Sequence, residues 1–269
     1  MYLIRVNTAR LFVAWQQQSK RGWYPVGRLD ADVGADYYRF RYLQGAIEAA
    51  EQCGFVPFDS FPDIEGDSVS SELFPFFANR LQNSNQPGFG EYLRRLDLAT
   101  DDGEVDAIEV LALSEGRRAT DNLEIFPRVT RTDDRPFTIK FFLHGWRYLP
   151  PDRAQRVLSL RAGDNLRVAI EANNPATHFA VQLQTDDLVP IGYAPRYLVN
   201  DLADVILRCA IPVSAVVSRL NLPPAPPSQR LLVSFEGCWP DDYEPMSGNQ
   251  FQVLVGDEMP SLEDALVAS

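Results

Sequence analysis

No apolar run in this chain is long enough to cross a membrane or to form one long buried helix. The longest, residues 211–217, falls far short of the roughly 20 residues a membrane-spanning helix needs. Twenty prolines and sixteen glycines break the remaining apolar sequence into short pieces. A chain built this way must fold from many short strands and helices joined by turns. Its 269 residues suffice for two modest domains, or for one with appendages. With 45% hydrophobic and 23% charged residues it falls in the ordinary globular range. The start, MYLIRVNTAR, has no charged leader, long apolar core or small-residue cleavage site, so a cytoplasmic location is expected.

The pattern along the chain predicts an α+β protein. Residues 11–16, 23–29 and 37–42 alternate as strands, the third with aromatic residues on one face and Arg39 and Arg41 on the other. A short helix is expected over 45–53, ended by Gly54, and another over 72–81, capped by Ser70. Residues 92–98 continue helically, and an acidic loop follows at 101–104. A linker is expected at 130–134. Strands follow at 137–143, 165–170 and 179–184, with a turn at 172–175 and a helix over 199–207. Pro223, Pro224, Pro226 and Pro227 close this unit, and strand-like runs at 231–235 and 251–255 could pair with either half. The expected division is 1–136, 137–222 and an acidic extension, 223–269, packing on the body.

Charge narrows the function classes. Residues 1–136 carry 15 basic and 22 acidic side chains, residues 137–222 carry 9 and 7, and residues 223–269 carry 1 and 8. Only the middle segment is net basic, and only there would a phosphate strand find favourable surface. Cys53, Cys209 and Cys238 are scattered and odd in number, which reads as reduced thiols. Two histidines, His144 and His178, are a poor supply for a metal centre or proton relay. His178, at a strand start, reads as a turn or surface residue. No GxSxG, HExxH, phosphate-binding glycine loop or GxGxxG occurs. The adjacent acids at 101–102, 186–187 and 241–242 point apart, whereas paired acid–base catalysis needs carboxyl groups that converge. Arg117 and Arg118, after Gly116, could touch phosphate or lie in a solvated turn. The expectation is a protein without catalysis, metal or cofactor.

The stretch 141–197 carries an ordered set of features. FFLHGWRYL is a strand ending in glycine with an Arg-Tyr pair. LRAGDNLRVAIEANNPATHFAVQLQ contains a Gly-Asp turn, an Asn-Pro turn and an alternating strand. IGYAPRYL closes the set. This order resembles the HIRAN domain, a small β-barrel found in DNA-repair ATPases and alone in many bacterial proteins. The resemblance implies a barrel with one or two helices that stacks terminal bases of single-stranded DNA on aromatic rings and holds a 3′ end. Carried over position by position, it implies that Arg147 and Tyr148 face DNA, that Asn174 is the turn asparagine, that Tyr193 is the ring residue after the closing glycine, and that Arg196 faces phosphate. Two positions depart from it. Ala176 and Thr177 stand where the DNA-end binders have an aromatic residue and an aspartate that reads the 3′-hydroxyl. Threonine cannot supply that carboxylate, so duplex, internal single strand or a protein become alternative ligands. Tyr148, Tyr193 and Tyr197 could instead be half-buried barrel residues, with Arg147 and Arg196 paired to Asp186, Asp187 or Asp201.

VGRL at 26–29, YRFRYLQGA at 38–46 and ELFPFFANRL at 72–81 resemble the small N-terminal subdomain of HipA-type toxin kinases. The kinase core is absent, so this resemblance implies a partner surface of antitoxin type. The expected partners are therefore single-stranded or end-containing DNA, and a helicase, nuclease or kinase-like toxin.

Overall fold

The computed structural model describes residues 8–17, 22–98, 105–118, 120–132, 135–174 and 178–255. The acidic loop at 101–104, residues 175–177 with Ala176 and Thr177, and the Asp133-Asp134 end of the linker lie outside these; residues 172–174, expected in a turn, instead continue a strand that runs to Asn174.

The first sheet has five antiparallel strands in the order β4-β3-β2-β1-β5: β1 (Thr8–Gln16), β2 (Trp23–Asp32), β3 (Tyr37–Tyr42), β4 (Ser68–Ser70) and β5 (Leu123–Pro127). The three alternating runs read from the sequence are β1–β3. Helix α1 (Gln44–Cys53) follows β3. The helix expected over 72–81 shrinks to one turn, α2 (Pro75–Ala78), because Pro75 fits only a helix's first turn. Ser70 instead ends β4, its Oγ accepting from the Glu72 N–H at 3.0 Å. Helices α3 (Phe89–Arg95) and α4 (Ala107–Ser114) complete this part. One sheet face packs Leu11, Leu29, Phe40 and Tyr42 against Phe55, Phe61 and Phe77.

The opposite face is buried too, although the sequence put charges there. Arg28, Asp30, Arg39 and Arg41 are all 6% exposed or less. Asp30 accepts from Arg10 Nε at 2.7 Å, Arg28 Nε at 2.8 Å and Arg41 Nη2 at 3.1 Å, while Arg39 pairs with Asp67. Register makes this possible, since Asp30 lies opposite Arg10 on β1 and Arg39 on β3.

The second sheet has six antiparallel strands in the order β6-β11-β10-β7-β8-β9: β6 (Pro136–Phe142), β7 (Asn165–Asn174), β8 (His178–Gln184), β9 (Pro190–Tyr193), β10 (Ser214–Leu220) and β11 (Leu231–Cys238). The expected closed barrel is not formed. Beyond the ladders, the edges β6 and β9 meet at a single bridge between His144 and Tyr193, because β9 is only four residues long and the chain turns away at Gly145. The boundary drawn at 222 falls between the paired strands β10 and β11, so the segment after the prolines supplies an inner strand. The run 251–255 makes one bridge, Val253 to Leu43, rather than a strand. Helices α5 (Pro151–Leu158) and α6 (Val199–Arg208) complete this part, and α6 buries Val199, Leu202 and Val205. One apolar cluster joins the two sheets: Phe12, Ala14, Leu43 and Phe126 pack with Leu183, Ile191, Leu202, Val233 and Trp239. Among the described residues no helix is long and apolar enough to cross a membrane.

Asp201 on α6 pins the segment after β11. Its Oδ1 accepts from the Tyr243 hydroxyl at 2.5 Å and the Met246 N–H at 3.1 Å. Burial raises the Asp201 pKa, and these two hydrogen bonds only partly offset it. A carboxyl raised on folding favours the fold at low pH, and that contribution is lost as pH rises through its elevated value. Asp201→Asn keeps the acceptor and removes the charge. Thermal melts should therefore show the variant gaining on wild type at pH 8 relative to pH 4; an equal difference at both pH values would contradict this.

Candidate nucleic-acid interface

The surface begins at the bridge that joins the edges of the second sheet. His144 and Tyr193 exchange backbone hydrogen bonds of 2.9 and 3.0 Å. Glycine is required on both sides of this contact. A Cβ at Gly192 (φ 151°) would lie 2.6 Å from the His144 carbonyl oxygen, and one at Gly145 (φ 73°) would lie 2.9 Å from Tyr193 Cδ2. The Tyr193 ring thus rests against the backbone of Gly145, where the chain enters the 3-10 turn Trp146–Tyr148.

Trp146 faces inward and anchors that turn, its indole N–H donating to the Pro227 carbonyl at 2.9 Å. Arg147 and Tyr148 are left outside. Tyr148 is 67% exposed, with the Arg147 guanidinium 4.8 Å from its ring centroid and donating to its hydroxyl at 2.8 Å. Of the carboxylates expected as alternative partners, Asp187 accepts from Arg156, Asp186 lies beside Arg167, and Asp201 is held as described.

Asn174 is placed differently from expectation. It is 7% exposed and donates to Glu171 Oε2 at 3.1 Å, so it holds a carboxylate instead of facing solvent. Gln182 donates to the same oxygen at 3.2 Å, and Gln184 donates to Gln182 at 2.7 Å. Burial and then the Glu171 hydrogen bond raise the Tyr193 pKa, which ties its hydroxyl into the same network. Arg196 opens the 3-10 turn after β9 and is half-buried, between the buried Pro195 and Tyr197. The structure therefore gathers Arg147, Tyr148 and Tyr193 and joins Asn174 to them through Glu171.

Glu171, Gln182 and Trp146 escaped the sequence reading. Strand alternation puts Glu171 and Gln182 on one face once β7 and β8 are paired with Ala169 opposite Gln182, but that register is a long-range fact.

A second polar group lies just before this turn. Donor atoms of Glu115, Glu124 and His144 all lie within 4.8 Å of one another. Burial would raise the Glu115 carboxyl, but Arg117 and His144 outweigh it and hold it well below the usual range. Nothing in the sequence pairs these residues, because His144 stands 29 positions from Glu115.

No known protein family matches this chain, and neither does any curated protein. Two solved structures are similar to part of it. One is a protein from Lactobacillus plantarum, 19% identical, covering 39% of this chain and 98% of its own, with a TM-score of 0.31. The other is the HIRAN domain of human HLTF, 12% identical, covering 41% of this chain and 84% of its own, also with a TM-score of 0.31. The HipA-like resemblance receives no support from these comparisons.

Proposed function

We propose that this chain is a non-catalytic, DNA-associated accessory protein that meets DNA with Arg147, Tyr148, Tyr193 and Arg196. The observation that carries the reading is the exposed Arg147–Tyr148 pair, held outward by Trp146 beside the Tyr193 ring. An exposed ring offers a stacking platform to any base, and the adjoining guanidinium meets the backbone. The pair also lies in the net-basic segment of the chain, and the residue order resembling HIRAN domains supports the same face. Asn174 acts as a positioning residue for Glu171. The Glu171 carboxylate behind Tyr193 repels phosphate, so strand backbone passes along the Arg147 side and binding is weak and salt-sensitive.

Fluorescence anisotropy at low salt, with single strands bearing free or blocked 3′ ends, tests this. Tyr148→Ala should weaken binding by about 1–3 kcal/mol, or about 5- to 150-fold. Arg147→Ala should weaken it and reduce the salt slope by about one counterion. Absence of binding at low salt, or wild-type binding by both variants, rejects the assignment.

A further inference from the structure

Glu115 ends α4 with φ at 59°, a left-handed conformation uncommon for a non-glycine residue. Its side chain is 4% exposed and faces a small ionic cluster. Arg117 Nε donates to Glu115 Oε2 at 2.6 Å, and Arg117 Nη2 donates to Glu124 Oε1 at 2.5 Å. His144 Nε2 lies 2.9 Å from Glu115 Oε1, 3.7 Å from Glu124 Oε1 and 3.1 Å from Arg117 Nη2.

His144 Nε2 faces incompatible demands. With a proton it donates to Glu115 but confronts an N–H of Arg117. With a lone pair it accepts from Arg117 but is pressed against carboxylate oxygens at 2.9 and 3.2 Å. A cation that carries no hydrogen, in place of the guanidinium nitrogen, turns all these contacts into ligand bonds.

The spacing fits such an ion. Tetrahedral zinc with bonds of about 2.0–2.1 Å separates its ligands by about 3.3–3.4 Å. The observed 2.9 and 3.7 Å from His144 Nε2 lie on either side of that value, and with all three ligand atoms within 4.8 Å of one another small side-chain shifts close the set around an ion. The carboxylates are also oriented from behind, as metal ligands commonly are. Trp23 Nε1 donates to Glu124 Oε2 at 3.0 Å, and the buried Tyr197 lies beside Glu115. The Arg117 side chain is 38% exposed and has water to swing into.

We propose that Glu115, Glu124 and His144 form a divalent-cation site, best matched to zinc, in which the Arg117 guanidinium is an exchangeable stand-in for the ion. The bound ion ties the end of α4, β5 and the segment after β6 together, immediately before the Arg147–Tyr148 turn.

The test uses the full chain, stripped with EDTA and then titrated with zinc chloride, read by calorimetry and thermal melting, with magnesium chloride as control. One zinc per chain and a higher melting temperature are expected, with no effect of magnesium. Arg117→Ala should melt lower than wild type in EDTA and bind zinc at least tenfold tighter, since the competitor is gone. Glu124→Gln and His144→Gln should still melt cooperatively but lose the zinc-dependent rise. The proposal is overturned if neither wild type nor Arg117→Ala responds to zinc. It is equally overturned if Glu124→Gln and His144→Gln respond as wild type does, since the ion then binds elsewhere on the acidic surface. Should Arg117→Ala fail to fold with or without zinc, wild type against Glu124→Gln decides.

Discussion

Asp30→Asn should cost about 3–5 kcal/mol of stability, the usual penalty for removing one member of a buried charge pair. Asp30 is the carboxylate that Arg10, Arg28 and Arg41 share, and it is 6% exposed. Asparagine keeps one acceptor oxygen but supplies no charge to the arginines. Burial alone would raise the Asp30 pKa, yet Arg28 and Arg10 outweigh it and hold the group below its ordinary value. A carboxyl lowered on folding stabilises the fold above its unfolded pKa of about 4, and that contribution fades as pH falls through the folded value. Urea unfolding at pH 7 should therefore show the full loss, and the gap to wild type should narrow below about pH 4. A variant within about 0.5 kcal/mol of wild type at pH 7 would mean that the arginines do not depend on this carboxylate.

Phe126→Ala should be comparably damaging, at about 3–5 kcal/mol. The ring is fully buried on β5, within 5.8 Å of Phe12 and 5.7 Å of Trp23 by ring centroids, and it stacks on Tyr197 at 4.2 Å with 9° between planes. Phe12 and Trp23 belong to the first sheet, whereas Tyr197 precedes α6. The cavity therefore opens in apolar contact shared by both halves, and both should lose stability in one transition. Unfolding followed by circular dichroism and by tryptophan fluorescence should coincide. Two separated transitions would show that the halves unfold independently and that this ring matters to only one.

Local chemistry explains what was legible in the sequence. β1, β2 and β3 could be read because alternation is a property of neighbouring residues, and α6 because its apolar positions recur at helical spacing. The sequence placed Arg39 and Arg41 on one face of β3 but could not show that the face is buried, because Asp30 and Asp67 reach it only through strand pairing. The proline run looked like the end of a unit, yet β11 follows it and pairs with β6 and β10. The site was half legible. The Arg147–Tyr148 turn and Tyr193 stood out as residue types in order, while Glu171 and Trp146 act through partners that no spacing rule links. Asn174 was noticed for its turn, whereas in the fold its amide donates to Glu171.

The central position of β11 sets the order in which the protein can be made. β6 has its ladder on β11, and Phe142 is followed by some 90 residues before Leu231 appears. At about 5–20 residues per second of synthesis, that interval is about 5–20 s. Throughout it, the apolar strand FTIKFF has left the peptidyl-transferase centre but has no ladder partner to cover its backbone edge. The first sheet, complete once β5 is made, can form earlier, so this half supplies the scaffold against which the unpaired strand waits. A ribosome that stalls between the two strands would hold a chain whose β6 edge is still open to pairing with another chain.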